Sequence, residues 1–310
     1  MRRPAAALLL LSVLCSLRLI QQITGEMQPT PAPVQPRRRV TTTDGLSCSR
    51  FEWNSTKDVM RVPISLNGKR YWYQLDTGAD MVLVYGSPKH EGWSPQGEAL
   101  RIPNVRFAGM SFPAILAYPM ESMPDAPSPE ALHGSVGLDA LVGHIFMMDF
   151  PKRRICLFDR PEFPESFNRA ADWSSAEIRD GKLFLTMELN GRKLDAIFYD
   201  TGSSADALLV DFGVWKQATG RSDTKDTATK ATAQSWGQDL QFIGAPASGD
   251  LKLGNHVYRK PFVSTILAQP DSFRTKNGAQ GLLGNALFHD SIIILDLGSH
   301  PQFGIIDDSR

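Results

Sequence analysis

Residues 66–80 read Leu-Asn-Gly-Lys-Arg-Tyr-Trp-Tyr-Gln-Leu-Asp-Thr-Gly-Ala-Asp. The same pattern recurs over residues 189–204, which read Leu-Asn-Gly-Arg-Lys-Leu-Asp-Ala-Ile-Phe-Tyr-Asp-Thr-Gly-Ser-Ser, and this repeat is the strongest indication of the fold. In each copy an Asn-Gly pair separates two runs of alternating apolar residues, which is the sequence signature of a β-hairpin with a two-residue turn. Asp76 follows its turn glycine by eight residues, and Asp200 follows its own by nine. The pattern therefore predicts that both aspartates lie where the second strand of a hairpin ends.

The repeat continues through the rest of each copy. Gly137 and Gly284 each follow an apolar residue, and each precedes by twelve residues an aspartate inside an apolar strand, Asp149 or Asp296. A further short strand closes each copy. We interpret Gly137 and Gly284 as structural glycines at equivalent places in two similar lobes.

The second copy is 23 residues longer than the first between its aspartate and its glycine. The extra sequence predicts a short helix over residues 211–219 and then an extended hairpin around Trp236 and Gly237. That hairpin is a candidate cover for a cleft, with Trp236 and Gly237 as substrate-binding residues, and packing of Trp236 in a core is the alternative. Alignment of the two copies places Tyr118 on the strand after the corresponding hairpin, which leaves the first lobe with a short flap.

The N-terminal segment has the pattern of an export signal over residues 1–26, with two arginines and then an apolar run that no acidic residue precedes. The run is shorter than the roughly 20 apolar residues that span a membrane, so we expect a cleaved signal peptide, with a retained membrane anchor as the alternative. Residues 27–50 are rich in Pro, Thr and Arg and predict a tether. The rest divides into an N-terminal lobe, residues 51–170, and a C-terminal lobe, residues 171–310. We expect an exported protein, periplasmic or secreted, that meets a membrane only if the first segment is retained.

Composition limits the partners. Lys plus Arg total 33 and Asp plus Glu total 33, so no excess of positive charge favours nucleic acid, which we exclude. The six histidines show no metal-ligand spacing with the cysteines, so we predict no metal and no cofactor. Outside the export segment the cysteines are Cys48 and Cys156. An oxidising compartment allows a disulfide between them, and two free thiols are the alternative.

An Asp-Thr-Gly triplet at a strand end suits a reactive carboxyl. The glycine permits a tight turn that presents its amide to the carboxylate, and the threonine can hydrogen-bond to the opposite loop. One triplet alone is typical of an aspartate turn that caps a strand, but two in matching repeat context favour a functional pair. Two carboxylates about 3 Å apart repel by roughly 5 kcal/mol at an effective dielectric constant of 20, so one carboxyl of such a pair retains a proton.

With its doubled triplets, paired glycines and closing strands, the sequence over residues 61–306 resembles the pepsin and retropepsin clan of aspartic peptidases, including the bacterial-type aspartyl proteases. The resemblance implies a mostly β, bilobal, pseudo-twofold aspartic-protease-like double β-barrel. It also implies an aspartic endopeptidase that hydrolyses peptide bonds with a water activated between the carboxyls of Asp76 and Asp200. A peptide or protein would then be the substrate, and a monomer would hold the complete site.

The same resemblance implies roles for the residues around the pair. The first motif has the retroviral form and the second the pepsin form. The residues that support the two carboxyls are Thr77, Gly78, Thr201, Gly202 and Ser203. Asp80 would hold substrate backbone amides, with an ordinary salt bridge as the alternative. The Ser203 hydroxyl would contact the carboxylate of Asp200, which leads to the hypothesis that Asp200 is the ionised partner and that Asp76 holds the proton.

Two other functions remain open. The first is a catalytically degenerate peptidase fold that binds a peptide without cutting it, and the intact Asp76 and Asp200 count against it. The second is a glycosidase with two carboxylates, which would need its carboxyls further apart than equivalent strand ends suggest.

Overall fold

The computed structural model describes residues 45–86, 92–221, 229–235, 238–267 and 269–307. The predicted export segment, residues 1–26, lies outside the described residues, and so do Trp236 and Gly237. Within the described ranges, none of the helices has the length and apolar character needed to cross a membrane.

The described residues form two lobes of short β-strands with few helices. The strands of the first lobe are β1 Ser49–Arg50, β2 Glu52–Trp53, β3 Met60–Leu66, β4 Lys69–Leu75, β5 Leu83–Tyr85, β6 Ser94–Gln96, β7 Ala99–Phe107, β8 Met110–Met120, β9 Leu132–Val136, β10 Ile145–Asp149 and β11 Arg154–Phe158. Those of the second lobe are β12 Asp172–Arg179, β13 Lys182–Leu189, β14 Arg192–Tyr199, β15 Leu208–Val210, β16 Thr229–Ser235, β17 Gln238–Pro246, β18 Leu251–Leu253, β19 His256–Tyr258, β20 Phe262–Ile266, β21 Gly281–Leu283, β22 Ser291–Asp296 and β23 Gln302–Asp307. The helices are α1 Glu165–Ala170, α2 Phe212–Thr219 and α3 Ser272–Asn277, with 3₁₀ turns at Leu138–Ala140 and Arg160–Glu162.

The two hairpins predicted by the repeat are confirmed. β3 pairs with β4, and β13 pairs with β14, in antiparallel ladders. The turn residues Asn67 and Gly68 have φ of 49° and 78°, and Asn190 and Gly191 have φ of 52° and 74°. Positive φ at both central residues defines the type I′ turn, whose twist matches that of the flanking strands and which Asn-Gly adopts more readily than other pairs. The sequence repeat is therefore a repeat of structure.

The two lobes have the same strand order. Hydrogen-bonded neighbours run β2-β3-β4-β9-β5-β8-β7-β6 in the first lobe and β12-β13-β14-β21-β15-β20-β17-β16 in the second. Additional pairing of β3 with β7, and of β13 with β18, folds each sheet back on itself. The fold is the predicted mostly β, bilobal, pseudo-twofold double β-barrel of the aspartic-protease type.

A sheet shared by both lobes joins them in the order β1-β11-β10-β22-β23-β12. At its centre β10 pairs antiparallel with β22, so that Met147 lies opposite Ile294. Alternate residues face opposite sides of a strand, and Phe146 packs in the large core between the barrels while Met147 packs beside Phe167 of α1. These central strands are the closing strands that the repeat predicted.

The lobes differ in the hairpins that follow their aspartates. β16 pairs with β17 along its whole length, residues 229–235, whereas the corresponding β6 is three residues long. The predicted helix is confirmed as α2, and Tyr118 lies on β8 as predicted. After each of these hairpins the chain returns to the strand that precedes the Asn-Gly turn: Val105 of β7 pairs with Leu66, and Leu251 of β18 pairs with Leu189. The longer second-lobe hairpin therefore replaces a short one at an equivalent place.

The chain enters the first lobe earlier than the sequence analysis places it. Ser49 and Arg50, within the segment predicted as a tether, form β1 and pair with β11. A disulfide joins Cys48 to Cys156. Residues 48–50 are therefore part of the folded lobe.

Candidate active site

Each candidate aspartate follows the last residue of a buried strand that lies between two others. Asp76 follows β4, and its amide donates a hydrogen bond to the carbonyl of Val136 at 3.0 Å. Asp200 follows β14, and its amide donates to the carbonyl of Leu283 at 2.9 Å. β4 and β14 run parallel to β9 and β21, and those strands also pair antiparallel with β5 and β15. Two equivalent loops therefore present the two aspartates at the interface of the lobes.

Gly137 and Gly284 allow these loops to pack closely. A Cβ atom at Gly137 would collide with the carbonyl of Met81, and one at Gly284 would collide with the carbonyls of Ser203 and Asp206. Both glycines thus lie against the segment that follows an aspartate. Because the obstacles are backbone atoms, a side chain at either position would displace an aspartate loop.

The two threonines join the loops across the lobe interface. The amide of Thr77 donates to Oγ1 of Thr201 at 3.0 Å, and the amide of Thr201 donates to Oγ1 of Thr77 at 3.0 Å. Oγ1 of Thr77 also donates to the carbonyl of Tyr199 at 2.9 Å. All of these groups are buried, so the hydrogen bonds fix the loops relative to each other.

The hydrogen bonds to the two carboxyls are unequal. Oδ1 of Asp76 accepts from the amide of Ala79 at 3.1 Å. Oδ1 of Asp200 accepts from the amide of Gly202 at 2.8 Å and from the amide of Gly78, in the opposite loop, at 3.2 Å. Oδ2 of Asp200 is buried and has no hydrogen-bond partner among the described residues. A Cβ on Gly78 would lie 2.5 Å from the carboxyl of Asp200, so this approach requires glycine.

Burial and mutual repulsion separate the proton affinities of the pair. The exposed fraction is 1% for Asp76 and 0% for Asp200. Burial raises the pKa of Asp76 to about 6, against the lowering effect of nearby Lys182. Burial also raises the pKa of Asp200 well above its usual range, and the negative charge of Asp76 raises it further. One proton is therefore shared by the pair while the other carboxyl is ionised.

The hydrogen bond behind the sequence hypothesis on the proton is not the one that the structure shows. That hypothesis relied on a hydrogen bond from Ser203 to Asp200, but the Ser203 hydroxyl donates to Oδ2 of Asp206 at 2.9 Å. Asp206 is a partly buried carboxyl that was not predicted from the sequence, and desolvation raises its pKa to about 6. The hydroxyl serves Asp206 because that side chain turns back towards the loop.

Asp80 lies at the end of the first motif, partly buried. Its side chain contacts Gly181 of the second lobe, where a Cβ would collide with the Cβ of Asp80. Gly181 belongs to the two-residue turn between β12 and β13, and its φ is +68°. The contact joins the first-lobe motif to a hairpin tip of the second lobe. The substrate-binding role of Asp80 stays a prediction.

Lys182 is the residue of the site that sequence reasoning missed. It follows Gly181 at the start of β13, has an exposed fraction of 6%, and donates a hydrogen bond from its ammonium to the carbonyl of Gly78. Its charge lowers the pKa of both Asp76 and Asp200. Asp180-Gly181 between two strand patterns predicts a hairpin turn, but no sequence signal places that turn against the opposite lobe.

The site thus combines two buried carboxyls, whose pKa values are both raised, and a buried ammonium. Within the described residues, no cluster of three or more His, Cys, Asp or Glu side chains is arranged to hold a metal ion. Such a carboxyl pair can accept a proton at Asp76 and donate one from Asp200.

Comparison with known proteins shows the fold alone. The sequence matches no family profile and no curated protein. Conglutin gamma, a unique basic 7S globulin from lupine seeds, superposes with a TM-score of 0.50 at 9% identity, over 84% of this chain and 94% of that chain. Basic 7S globulin from soybean gives a TM-score of 0.47 at 9% identity, with the same coverage.

Proposed function

We propose that this protein is an aspartic endopeptidase whose water nucleophile is activated between Asp76 and Asp200. The observation that carries the proposal is the pair itself: two lobes of one chain bring two buried carboxyls together, on equivalent loops that Thr77 and Thr201 join. Pairs of titratable groups with separated pKa values are typical of general acid and base partners.

The proposed reaction uses the two carboxyls in opposite roles. Ionised Asp76 accepts a proton from the attacking water while protonated Asp200 donates a hydrogen bond to the scissile carbonyl oxygen. The tetrahedral intermediate then collapses as the leaving amine takes a proton from the pair. The amides of Gly78 and Gly202 and the two threonines hold the carboxyls in place, so little reorganisation is needed during reaction.

A catalytically degenerate peptide-binding module is the second candidate function. The almost complete burial of both carboxyls favours it, because a water and a peptide must reach the pair before cleavage. The fold alone does not imply catalysis, since lupine conglutin gamma, of similar fold, carries the name of a seed globulin. The intact pair favours the peptidase.

We further propose that the protein is exported and acts as a monomer on peptide or protein substrates. The disulfide between Cys48 and Cys156 fits an oxidising compartment. Both aspartates come from one chain, so a site of this kind needs no second subunit.

Cleavage of an unfolded protein substrate, such as reduced casein, from pH 3 to pH 8 tests the proposal. We expect wild type to cut with an acidic limb near pH 6, and each of Asp76→Asn and Asp200→Asn to lose about 10⁴-fold in kcat/KM, because each removes one half of the acid–base pair. Asp195→Asn, which changes an exposed carboxyl of the second lobe, is the matched control. Inhibition by pepstatin adds evidence for a pepsin-like cleft.

The two candidate functions predict different results. Folded wild type that binds the substrate without cutting it at any pH would establish the binding module. Cutting that persists in either asparagine variant would contradict the paired mechanism.

A further inference from the structure

The tip of the β12–β13 hairpin crosses from the second lobe to the aspartate loop of the first. Gly181 at the tip packs against Asp80, and the next residue, Lys182, reaches the carbonyl of Gly78. Gly78 in turn donates its amide to Asp200. One residue of the first motif therefore contacts an ammonium on one side and a carboxyl on the other.

Burial makes this placement of Lys182 significant. An ammonium removed from water is unfavourable unless hydrogen bonds and opposite charge compensate it. The hydrogen bond to Gly78 provides one neutral partner, and the aspartate pair provides the opposite charge. On the exposed side of the hairpin the ammonium of Lys182 would remain in water. Its buried position therefore indicates a role at the aspartate pair.

We propose that Lys182 is a positioning residue of the site, whose ammonium holds the aspartate pair at a net charge of minus one. The inference rests on the proposed function, in which the singly protonated pair is the reactive form. With Lys182 charged and the pair singly protonated, the site as a whole is neutral. The ammonium therefore makes the doubly protonated pair lose its first proton at a lower pH than it would without Lys182. Lys182 thereby sets the pH above which the site works.

The charged and titratable groups around the pair support this role for Lys182. The groups in electrostatic contact with the pair are Lys182 of β13, whose charge acts on both carboxyls, and Tyr199 of β14, on which Asp200 acts, whereas Asp80 and Asp139 of the first lobe act on each other. Burial raises the pKa of Tyr199, and Asp200 raises it further, so that its hydroxyl stays neutral. Burial also raises the pKa of Asp139 to about 6, with a further contribution from Asp80. Arg179, before the turn, lies over the ring of Phe184 instead. Among these described groups Lys182 is the cation that acts on both catalytic carboxyls.

The test is the pH dependence of kcat/KM for Lys182→Met, with Lys182→Gln as a second neutral variant. Both should move the acidic limb to higher pH by about 1 to 3 pH units, since an opposite charge at short range lowers a carboxyl pKa by that much. Lys182→Arg keeps the charge and should keep the limb near its wild-type position. Lys252→Met removes an exposed lysine of β18 that pairs with Glu188 of β13, and it should leave the limb unmoved.

A second readout needs no catalysis. Carboxyl ¹³C chemical shifts of aspartate-labelled protein report the ionisation of the pair, with Asp76→Asn and Asp200→Asn to assign the signals. Lys182→Met should raise the pH at which the first proton leaves the pair. A shifted titration in a protein that cuts nothing would support the inference and reject the peptidase.

An unmoved titration in a folded Lys182→Met variant would overturn the inference, whether or not the protein cuts peptides. A Lys182→Met variant that is more active at every pH with an unchanged pH profile would also overturn it, because that result would mean that Lys182 only obstructs the cleft.

Discussion

The two lobes share a strand order and a turn type, yet they supply unequal surroundings to their aspartates. In the second lobe the loop after Asp200 is held by its own hydrogen bonds: the Ser204 hydroxyl donates to the carbonyl of Thr201 at 2.6 Å, and the side-chain Nδ2 of Asn285 donates to Oγ of Ser204 at 2.7 Å. In the first lobe the loop after Asp76 instead meets the opposite lobe through Asp80. Backbone symmetry places the pair, and the unequal side chains give the two carboxyls different surroundings.

The strands that precede the aspartates differ as well. β12 and β13 are joined by the two-residue turn that delivers Lys182, whereas β2 and β3 are joined by residues 54–59. There the side chain of Asn54 accepts hydrogen bonds from the amides of Asp58 and Val59 and holds the connection in place. Among the residues that the structure describes, the second lobe supplies a cation to the site and the first lobe does not, which makes a nearly symmetric fold chemically asymmetric.

The largest expected effect on stability comes from the disulfide that is found in the first lobe. Cys48 and Cys156 are 108 residues apart, and removing a bridge that closes a loop of this length lowers the free energy of unfolding by about 4 to 5 kcal/mol. The paired substitution Cys48→Ser with Cys156→Ser should show this loss in urea unfolding. Wild type treated with a reductant should lose the same amount, and equal stability of the oxidised and reduced proteins would contradict the prediction.

Much of the fold followed from the sequence because its signals are local. Asn-Gly turns, alternating apolar residues and a repeat at fixed spacing predicted the hairpins, the closing strands, α2 and the longer hairpin after it. The beginning of the first lobe was placed too late, because β1 is two residues long and pairs with a strand about a hundred residues away. A strand so short has no periodicity to recognise.

The site was predicted less completely for a related reason. The loops that carry Asp76 and Asp200 meet as expected from the doubled motif. The partners of Ser203 and Lys182, however, depend on how loops and lobes pack, which no local pattern records. The predicted hydrogen bond from Ser203 to Asp200 was wrong for that reason, since it took the nearest motif carboxyl as the acceptor.

The two interlobe threonines allow the symmetry to be broken one lobe at a time. Thr77→Val would remove the hydrogen-bond partner of two groups, the carbonyl of Tyr199 and the amide of Thr201. Thr201→Val would remove the partner of one group, the amide of Thr77. At roughly 1 to 3 kcal/mol for each buried unsatisfied group, we expect a loss of about 4 kcal/mol for Thr77→Val and about 2 kcal/mol for Thr201→Val in urea unfolding. Thr77→Ser, which keeps the hydroxyl, should stay close to wild type. Equal losses for the two valine variants would reject this asymmetry.

A pH-dependent effect on stability concerns Asp206, which has Val82 at the equivalent place in the first lobe. Burial raises the pKa of Asp206 to about 6, from an ordinary value of 3.8. A carboxyl whose pKa is raised on folding stabilises the folded state at low pH, and this contribution is lost as pH rises through the folded pKa. Between pH 4 and pH 7 we expect this group to lower the free energy of unfolding of wild type by about 3 kcal/mol. Asp206→Asn should not show this decline.

Ser203→Ala separates this carboxyl from the catalytic pair. The substitution removes a hydrogen bond that lowers the pKa of Asp206, so the decline in stability should extend to higher pH than in wild type. The acidic limb of the activity profile should stay in place, because Ser203 donates to Asp206 and not to Asp200. Thermal unfolding at half-unit pH steps, beside kcat/KM at the same pH values, measures both. A moved limb with an unchanged stability curve would restore the hydrogen bond to Asp200 that the sequence suggested.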